Sequence, residues 1–502
     1  MRGLFKSLVP VVVALLAAGC LSSHPERMQP LLRQLEQPSP PVAAPVAGTP
    51  AVPVPAPSSP LDDKVTGKSR LLYLMERGRL AQIRGETDAS FRDYAAAIQV
   101  IKDQDAEPVV RLTDVAQQGA AVLVNDNVLP YRAAGYERVL LHQLQAENYL
   151  ARNDLEGAGV EVRLANAEQV KALKKHQAEV ADAKAAGQRQ PTEAAGMARA
   201  EQAYAGLDEV AGQVKNSFQN AYTFYFSGII YEMLGAPNDA YIDYKKALEI
   251  YPANRQLQQD VVRLAASLGM TDDLAELRRR FPNVAPPARP APGAAPVGTV
   301  VVFYEDGWVP PKEEIKIPIP LPDLHGGFAG FTAVAFPYYS TRNLLVPVPL
   351  AVSVDGGGAS GVTEPLCNVR SMAVKALKEQ LPVMVTRQVI RTAAKAALTI
   401  GAKEAARQNG NDAAEIFAIV ATSVYNVATE NADLRSWLSL PADAQVLRLV
   451  VPAGQRQITL ASPVAGSVLL PVQVPPAGFV LVRVVRAGPR LYCMSVSGGS
   501  GR

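Results

Sequence analysis

Two tracts rich in proline, alanine and glycine divide this 502-residue chain, and they limit what it can fold into more than any other feature. Residues 37–60 contain nine prolines in 24 positions, and residues 285–298 read APPARPAPGAAPVG. Proline lacks a backbone donor and favours an extended chain at about 3.1 Å per residue. Neither tract is therefore expected to supply a core layer. We predict a tether at residues 20–64 and an interdomain linker at residues 285–298.

The segment before the first tract has the three parts of a secretory signal. Arg2 and Lys6 precede an apolar run at residues 8–16, and small residues follow. A transmembrane helix needs about 20 apolar residues, so this run is too short to span a bilayer. The sequence LAAGC, which ends at Cys20, resembles the bacterial lipobox. Residues 1–19 are predicted to be a lipoprotein signal peptide; an ordinary signal followed by a chance cysteine is the alternative.

The lipobox resemblance implies a diacylglycerol on the Cys20 thiol, cleavage before Cys20 and acylation of the new amine. Several acyl chains, at about 0.8 kcal/mol per buried CH₂, form a lasting anchor where one chain alone would be marginal. Leu21 follows the cysteine where Asp would favour the inner membrane. By the family's sorting rule, we therefore predict an outer-membrane lipoprotein that faces the periplasm.

The charge balance argues against a nucleic-acid partner. Removal of residues 1–19 takes two cations from 50, which leaves 48 basic and 47 acidic side chains, whereas nucleic-acid binding is read from a basic surface. About 480 mature residues indicate two or three domains. The other two cysteines, Cys367 and Cys493, are able to pair in an oxidising compartment, but the sequence does not show that they meet.

The segment between the two tracts contains one specific repeat signal. Residues 224–252, FYFSGIIYEMLGAPNDAYIDYKKALEIYP, resemble a tetratricopeptide (TPR) repeat, a helix–turn–helix unit of 34 residues. Gly228 and Ala240 are small enough for the two helices to approach closely, and Pro252 ends the second helix. Ser227 departs from the pattern, because leucine is usual there. The matching positions are Phe224, Gly228, Tyr231, Gly235, Ala240, Tyr244, Ala247 and Pro252.

Two weaker copies fit the same register, although residues 105–138 and 173–220 interrupt the series. Repeats of this kind bury their apolar faces only by stacking, so residues 65–284 are predicted to form an all-α, TPR-like solenoid. The matching residues of the weaker copies are Gly78, Gly85, Tyr94 and Ala97, counted from Leu71, and Ala146, Tyr149, Asn153, Ala158 and Ala165, counted from Val139.

The aromatic residues of the strongest repeat have two interpretations. They either line a groove for a partner peptide or pack between helices, and the second interpretation is favoured because they hold the packing positions of the repeat. These residues are Tyr222, Phe224, Tyr225, Phe226, Tyr231, Tyr241 and Tyr244.

The chain changes character after residue 298. Short apolar runs such as GTVVVFYEDG and AQVLRLVVPAG, punctuated by proline and glycine, predict a β-rich, sandwich-like domain at residues 299–496 and a tail at residues 497–502. A helical insertion is predicted at residues 371–430, where apolar residues at helical spacing flank Asn409-Gly410. This helical hairpin either packs on the sandwich, which is favoured, or docks on a partner or the membrane.

The sequence carries no motif for catalysis, a cofactor or a metal. Its four histidines are scattered, and it has neither a P-loop nor a nucleophile elbow. GGGASG at residues 356–361 formally matches a dinucleotide-binding pattern, but no helix start follows, so we predict a hairpin loop. Trp308 and Trp437 are candidates for stacking on a sugar, although tryptophan is more often buried. A two-carboxylate hydrolase is disfavoured, because its acidic residues are expected to be exposed at a turn: Glu305, Asp306, Glu313 and Glu314.

Together these features are similar to those of a family of proteobacterial periplasmic lipoproteins with TPR-like N-terminal halves and no assigned activity. The resemblance rests on Cys20, on YEMLGAPNDAYIDYKKALEIYPAN and on ADLRSWLSLPADAQVLRLVVPAG. Relatives are often associated with a lipoprotein that activates penicillin-binding proteins, which implies an envelope partner such as a peptidoglycan synthase complex. We predict a non-enzymatic scaffold that binds its partner on the concave face of the solenoid. A glycan- or peptidoglycan-binding module is the alternative, and a hydrolase is a weaker one.

Overall fold

The computed structural model leaves the lipobox with Cys20, residues 38–58 and most of the predicted helical insertion outside the described residues. Within the described part of the chain, no helix combines the length and the apolarity that crossing a bilayer requires. Apart from isolated positions, the structure describes residues 23–37, 59–107, 129–186, 204–284, 295–322, 328–340, 346–356, 359–385 and 430–498.

The first half of the chain is helical, and a strand-rich region follows, as predicted. Consecutive long helices form the hairpins α2–α3, α4–α5, α7–α8 and α9–α10, and neighbouring hairpins contact each other in chain order. The helices are α1 (His24–Glu36), α2 (Arg70–Ile83), α3 (Thr87–Ala106), α4 (Gly135–Ala151), α5 (Leu155–Ala186), α6 (Asp208–Gly212), α7 (Ala221–Met233), α8 (Pro237–Ile250), α9 (Arg255–Ser267) and α10 (Thr271–Arg280).

Each hairpin turns at one residue with a positive φ. Gly85, Asn153 and Gly235, which have φ values of 82°, 58° and 72°, are the residues that the repeat register places at the turn. Glycine adopts this left-handed conformation freely and asparagine does so with a small penalty. Gly269, with φ 68°, lies one repeat length further on and marks a fourth hairpin to which the sequence assigned no copy of the repeat.

Small residues let the two helices of a hairpin touch. A Cβ on Gly78 would lie 2.7 Å from ring carbons of Tyr94, and a Cβ on Gly228 would overlap the ring of Tyr244. Both tyrosine rings are fully buried, so neither has room to move away. The close approach that the sequence predicts at Gly228 is therefore present.

We expect Gly228→Ala to lower the free energy of unfolding by about 1–3 kcal/mol, because overpacking against Tyr244 outweighs the gain in helix propensity. Gly212→Ala is the matched control, since a Cβ at that position meets no atom within 4 Å. The control is expected to be neutral or slightly stabilising. Urea denaturation measures both variants, and equal stabilities would contradict the close packing.

The strands form two sheets and a separate ribbon. The larger sheet has the order β11–β10–β1–β7–β6, the smaller sheet has the order β5–β4–β8–β9, and β2 pairs with β3 alone. β1 and β10 are parallel, and helix α11 (Val369–Glu379) follows β6. The strands are β1 (Val297–Asp306), β2 (Glu313–Pro322), β3 (Phe328–Tyr338), β4 (Ala351–Val354), β5 (Ser360–Val362), β6 (Glu364–Cys367), β7 (Asp443–Pro452), β8 (Gly454–Ser462), β9 (Gly466–Val474), β10 (Phe479–Ala487) and β11 (Arg490–Gly498).

The larger sheet is the middle one of three layers. One face, which includes Val302, packs on the smaller sheet, and the opposite face packs on the helices. Tyr222 and Phe226 of α7 lie edge-on to Phe303 of β1, with ring centroids 5.5 and 5.3 Å away. The sequence predicted two domains joined by a linker, but the helices and the sheet share one core. The physical reason is that α7 is buried on nearly all sides and must be covered by more than its neighbouring helices.

Helix α1 lies within the segment that was predicted to be a tether. Ser23 caps this helix and exchanges hydrogen bonds with Glu26 in a capping box. The prediction of a continuous tether at residues 20–64 is therefore wrong for residues 24–36. Apolar side chains at helical spacing make this segment an amphipathic helix that packs on α2 and on the end of β10. These buried side chains are Met28, Leu31, Leu32 and Leu35.

The two cysteines of the folded region do not pair. Cys367 and Cys493 are free thiols on β6 and β11, the two outermost strands of the larger sheet. Four strand spacings of about 4.8 Å separate these strands, which is too far for a disulfide. Burial raises the pKa of the Cys493 thiol to about 11 and that of Cys367 well above its ordinary value. The suggested disulfide is therefore wrong.

Candidate peptide-binding groove

The aromatic residues of the strongest repeat pack in the core, as the favoured interpretation predicted. Tyr231 is partly buried, and Gly235 and Pro252 lie at exposed turns. The face of α7 that contacts Phe303 is covered by the chain's own sheet, so this face is not open to a partner. The buried residues at the repeat positions are Phe224, Gly228, Ala240, Tyr244 and Ala247.

Buried ion pairs join the helices to the larger sheet. Burial acts to lower the pKa of Arg79, but Glu305, Glu147 and Tyr94 together outweigh this effect and raise it. Glu305 and Asp306 were expected to be exposed at a turn, and this expectation is wrong for both. Each faces an arginine that the local sequence does not reveal, Arg79 for Glu305 and Arg486 for Asp306. The pairs between helices and sheet are Arg79–Glu305, Glu147–Arg483, Glu232–Arg448 and Asp260–Arg448.

Two aspartates face each other on β1 and β7, in register at Asp306 and Asp443. Asp306 accepts hydrogen bonds from Arg486 and Tyr304, whereas Asp443 accepts one from Gln445 at 3.0 Å. Desolvation and the neighbouring Asp306 charge raise the pKa of Asp443 to about 7. The two residues are only 4% and 3% exposed, and neither lines the groove described below. This carboxylate pair is therefore no support for a hydrolase.

The two tryptophans are poorly placed to stack on a sugar. Trp437 is fully buried, and its indole N–H donates to Ser439 Oγ at 3.0 Å. Trp308 is partly buried beside α1, and its N–H donates to Glu36 Oε1 at 3.2 Å. Sugar binding uses an exposed ring face with a free polar edge, so neither residue favours the glycan-binding alternative.

A groove of about 610 Å³ opens where the helices and the two sheets meet. Helix α9 forms one wall through Gln256 and Gln259, and the other wall consists of β5 and of the segment before β4 that carries Pro347 and Pro349. The floor is the edge of β7 at residues 447–449. Strands β4 and β5 pair antiparallel, and the last two residues of GGGASG, Ser360 and Gly361, belong to β5, so the predicted hairpin at this segment is confirmed.

The floor of the groove is an unpaired strand edge. Strand β1 pairs along the whole of β7, but β6 pairs with it only at residues 444–446. The N–H of Thr299, which is the register partner of Val450, points to the other side of β1. In an antiparallel ladder, the backbone N–H and C=O groups of two register partners either both point towards the opposite strand or both point away from it. The backbone groups of Val450 therefore also point away from β1. The backbone N–H and C=O groups of Arg448 are therefore directed into the groove, and those of Val450 lie on the same edge of β7, one residue beyond the groove lining.

A side chain already occupies part of this edge. The N–H of Arg448 donates to Gln256 Oε1 at 3.2 Å, so an amide oxygen stands where the carbonyl of a neighbouring strand would be. Val450 follows two residues later, and its side chain is 63% exposed. An extended peptide that adds to such an edge gains main-chain hydrogen bonds from the strand and side-chain contacts from the walls.

The wall formed by α9 is held in place by charged groups. Glu364 Oε2 accepts the N–H of Arg255 at 2.7 Å, at the first turn of the helix. Arg448 lies between Glu232 and Asp260, at 2.8 and 2.9 Å. Desolvation acts to raise the pKa of Glu232, but Arg448 and a second arginine lower it to about 2. The groove is therefore preformed, which reduces the entropy lost when a peptide binds.

Comparison of the chain with protein-family models, with curated proteins and with solved structures finds no match. Among the residues that the structure describes, no three His, Cys, Asp or Glu side chains converge as metal ligands. The groove was not predicted from the sequence, since its walls and floor come from segments far apart in the chain. The only local signal was the strand run AQVLRLVVPAG, which forms the floor.

Proposed function

We propose that this protein is a non-enzymatic interaction protein of the bacterial cell envelope, anchored by lipid at Cys20, which binds an extended segment of a partner protein in the groove. The observation that carries the binding role is the unpaired edge of β7 at the floor of the groove. An extended peptide is the ligand whose backbone matches such an edge. The lipobox resemblance supports an outer-membrane, periplasm-facing location, and an envelope assembly such as a peptidoglycan synthase complex is the kind of partner expected there.

On this proposal the helical hairpins are TPR-like units whose usual partner-binding face packs on the chain's own sheet. Their repeat positions, their turn residues and their stacking in chain order support this assignment. The face of α7 that a TPR solenoid would offer to a partner holds the larger sheet instead. Helix α9 supplies a wall of the groove, so the partner site moves to the place where the helical stack and the sheet meet.

A photocrosslinking experiment in cells tests the groove. A photoreactive amino acid in place of Val362, which is 50% exposed at the rim, is expected to capture a discrete protein. Val160 on α5 is 46% exposed and lies outside the groove, so it is the matched control position and is expected to give no such adduct. Equal adducts at the two positions would contradict the site.

We expect Val450→Pro to reduce the Val362 adduct by about three- to tenfold, which corresponds to the loss of one hydrogen bond. Proline removes an N–H on the unpaired edge of β7, next to the groove, whereas the ladder between β7 and β1 does not use that group. Val450→Ala keeps the N–H and is expected to retain the adduct. If the proline and alanine variants, both folded by circular dichroism, give equal adducts, strand addition is the wrong mode of binding.

A further inference from the structure

We infer that α1 holds the folded body directly against the lipid surface, so that the body rests on the membrane and does not hang from a long tether. This inference rests on the lipid anchor proposed above. Only Leu21 and Ser22 separate Cys20 from Ser23, the residue that caps α1. Even fully extended, this stretch spans about 10 Å. The surface around the first turn of α1 therefore lies within about 10 Å of the lipid headgroups.

Helix α1 is firmly attached at its first turn. His24 Nε2 lies 3.1 Å from Glu76 Oε1 and 2.9 Å from the carbonyl oxygen of Ser436, both of them buried contacts. Arg27 Nη1 donates to the hydroxyl of Tyr73 at 2.9 Å. These bonds join the beginning of α1 to α2 and to the segment that precedes β7. The chain after Cys20 is therefore fixed to the folded body within the first turn of α1.

The last turn of α1 is attached as well. The hydroxyl of Tyr492 on β11 donates to the carbonyl of Leu35 at 2.8 Å, and Trp308 donates to Glu36. Four apolar side chains along the helix are buried in one cluster with residues of α2 and β10. A helix that is hydrogen-bonded to the body at both ends and buried along one face does not act as a flexible tether.

The proline-rich tract begins and ends on the same body. Arg490 Nη1 donates to the carbonyl of Gln37, the first residue of the tract, at 2.7 Å. After the tract, Leu61 is buried in the cluster that also holds α1. Since both flanks are attached to the body, the length of residues 38–58 adds nothing to the reach between Cys20 and the body.

The groove is thereby kept at a distance from the membrane-attached end. Helix α1 packs on Val485 and Ala487 at one end of β10, whereas Arg448 at the floor of the groove is level with Leu481. Six residues of strand separate Ala487 from Leu481, which corresponds to about 20 Å. A partner segment would therefore meet the groove at a fixed distance from α1 along the sheet.

Two insertions of equal length test this inference on the intact lipoprotein. The protein is reconstituted in phosphatidylethanolamine–phosphatidylglycerol vesicles with nitroxide-labelled headgroups. A fluorescent amino acid replaces Asp63, an exposed residue two positions after Leu61, which is buried in the cluster that holds α1. A 20-residue Gly/Ser insertion between Ser22 and Ser23 adds a flexible segment of about 25 Å. The same insertion between Val46 and Ala47 lengthens only the proline-rich tract.

We expect the headgroup nitroxides to quench the fluorophore in the parent protein and in the 46/47 insertion. In the protein with the 22/23 insertion, quenching is expected to fall several-fold, down to the level of the Cys20→Ala variant, which carries no anchor. Equal quenching in the two insertions, or no quenching in the parent protein, would overturn the inference. Mass spectrometry that shows Cys20 without lipid would overturn both this inference and the anchoring part of the proposed function, whereas the Val362 adduct decides the groove separately.

Discussion

Glu305→Gln is expected to lower the free energy of unfolding by about 3–5 kcal/mol, the cost of breaking a buried ion pair by removing one partner. Glu305 compensates the fully buried guanidinium of Arg79, and glutamine leaves that charge in the interior without a carboxylate. The pair joins α2 to β1, so its loss weakens the contact between the helical stack and the larger sheet. Urea denaturation followed by tryptophan fluorescence measures the change.

Glu107→Gln is the matched control for this prediction. Glu107 pairs with Arg132 at 3.0 Å, but both side chains are exposed, and exposed pairs contribute about 0–1 kcal/mol. Adding Arg79→Met to Glu305→Gln removes the uncompensated charge and is expected to recover part of the lost stability. If Glu305→Gln costs no more than Glu107→Gln, the pair does not join the helices to the sheet in the way described.

Asp443→Asn is expected to stabilise the protein above pH 7 by at most roughly 4 kcal/mol, at about 1.4 kcal/mol for each unit of pKa difference. Desolvation, assisted by Asp306 and opposed by Gln445 and Arg370, raises the pKa of Asp443 from 3.8 to about 7 on folding. Between these values the folded state binds more protons than the unfolded state. The stability contributed by this carboxyl is therefore fully present below about pH 4 and is lost as the pH rises through 7.

Urea denaturation at pH 4, 5.5 and 8 checks the sign of this effect. Asparagine resembles the protonated carboxyl, so the variant and the parent protein are expected to be similarly stable at pH 4 and to diverge as the pH rises. Asp103→Asn on α3 is an exposed control that is expected to produce no divergence. A variant that is no more stable than the parent at pH 8 would show that Asp443 is ionised without penalty.

Features that depend on near neighbours in the chain were predictable from the sequence. The turns at Gly85, Asn153 and Gly235 and the close approach at Gly228 follow from spacing within one hairpin. The N-terminal helix also had a local signal, because Ser23 begins a capping box ahead of apolar residues at helical spacing. The proline-rich tract that follows favoured a tether over this signal, and the helix was missed for that reason.

Pairings between distant segments were not predictable. Arg79 and Glu305 lie 226 positions apart. From the sequence alone, a charged residue in a predicted strand is equally consistent with exposure to water and with a buried partner elsewhere in the chain. The groove depends on the order of strands in the larger sheet, which leaves half of β7 without β6 beside it. The same order puts Cys367 and Cys493 on opposite edges. A single sequence gives strand positions along the chain, but it does not give their order across a sheet.

The position of β10 also bears on when this chain becomes folded. Strand β10 lies parallel to the central strand β1, although about 180 residues separate them, and α1 packs on β10 from the other end of the chain. Contacts between such distant segments form slowly, because a long loop must close before any of them is made. The aromatic face of α7 has no sheet to cover it until β10 and β1 have met. We therefore expect folding to be completed only after β10 has been synthesised, with an interval in which this face is exposed to aggregation or to a chaperone.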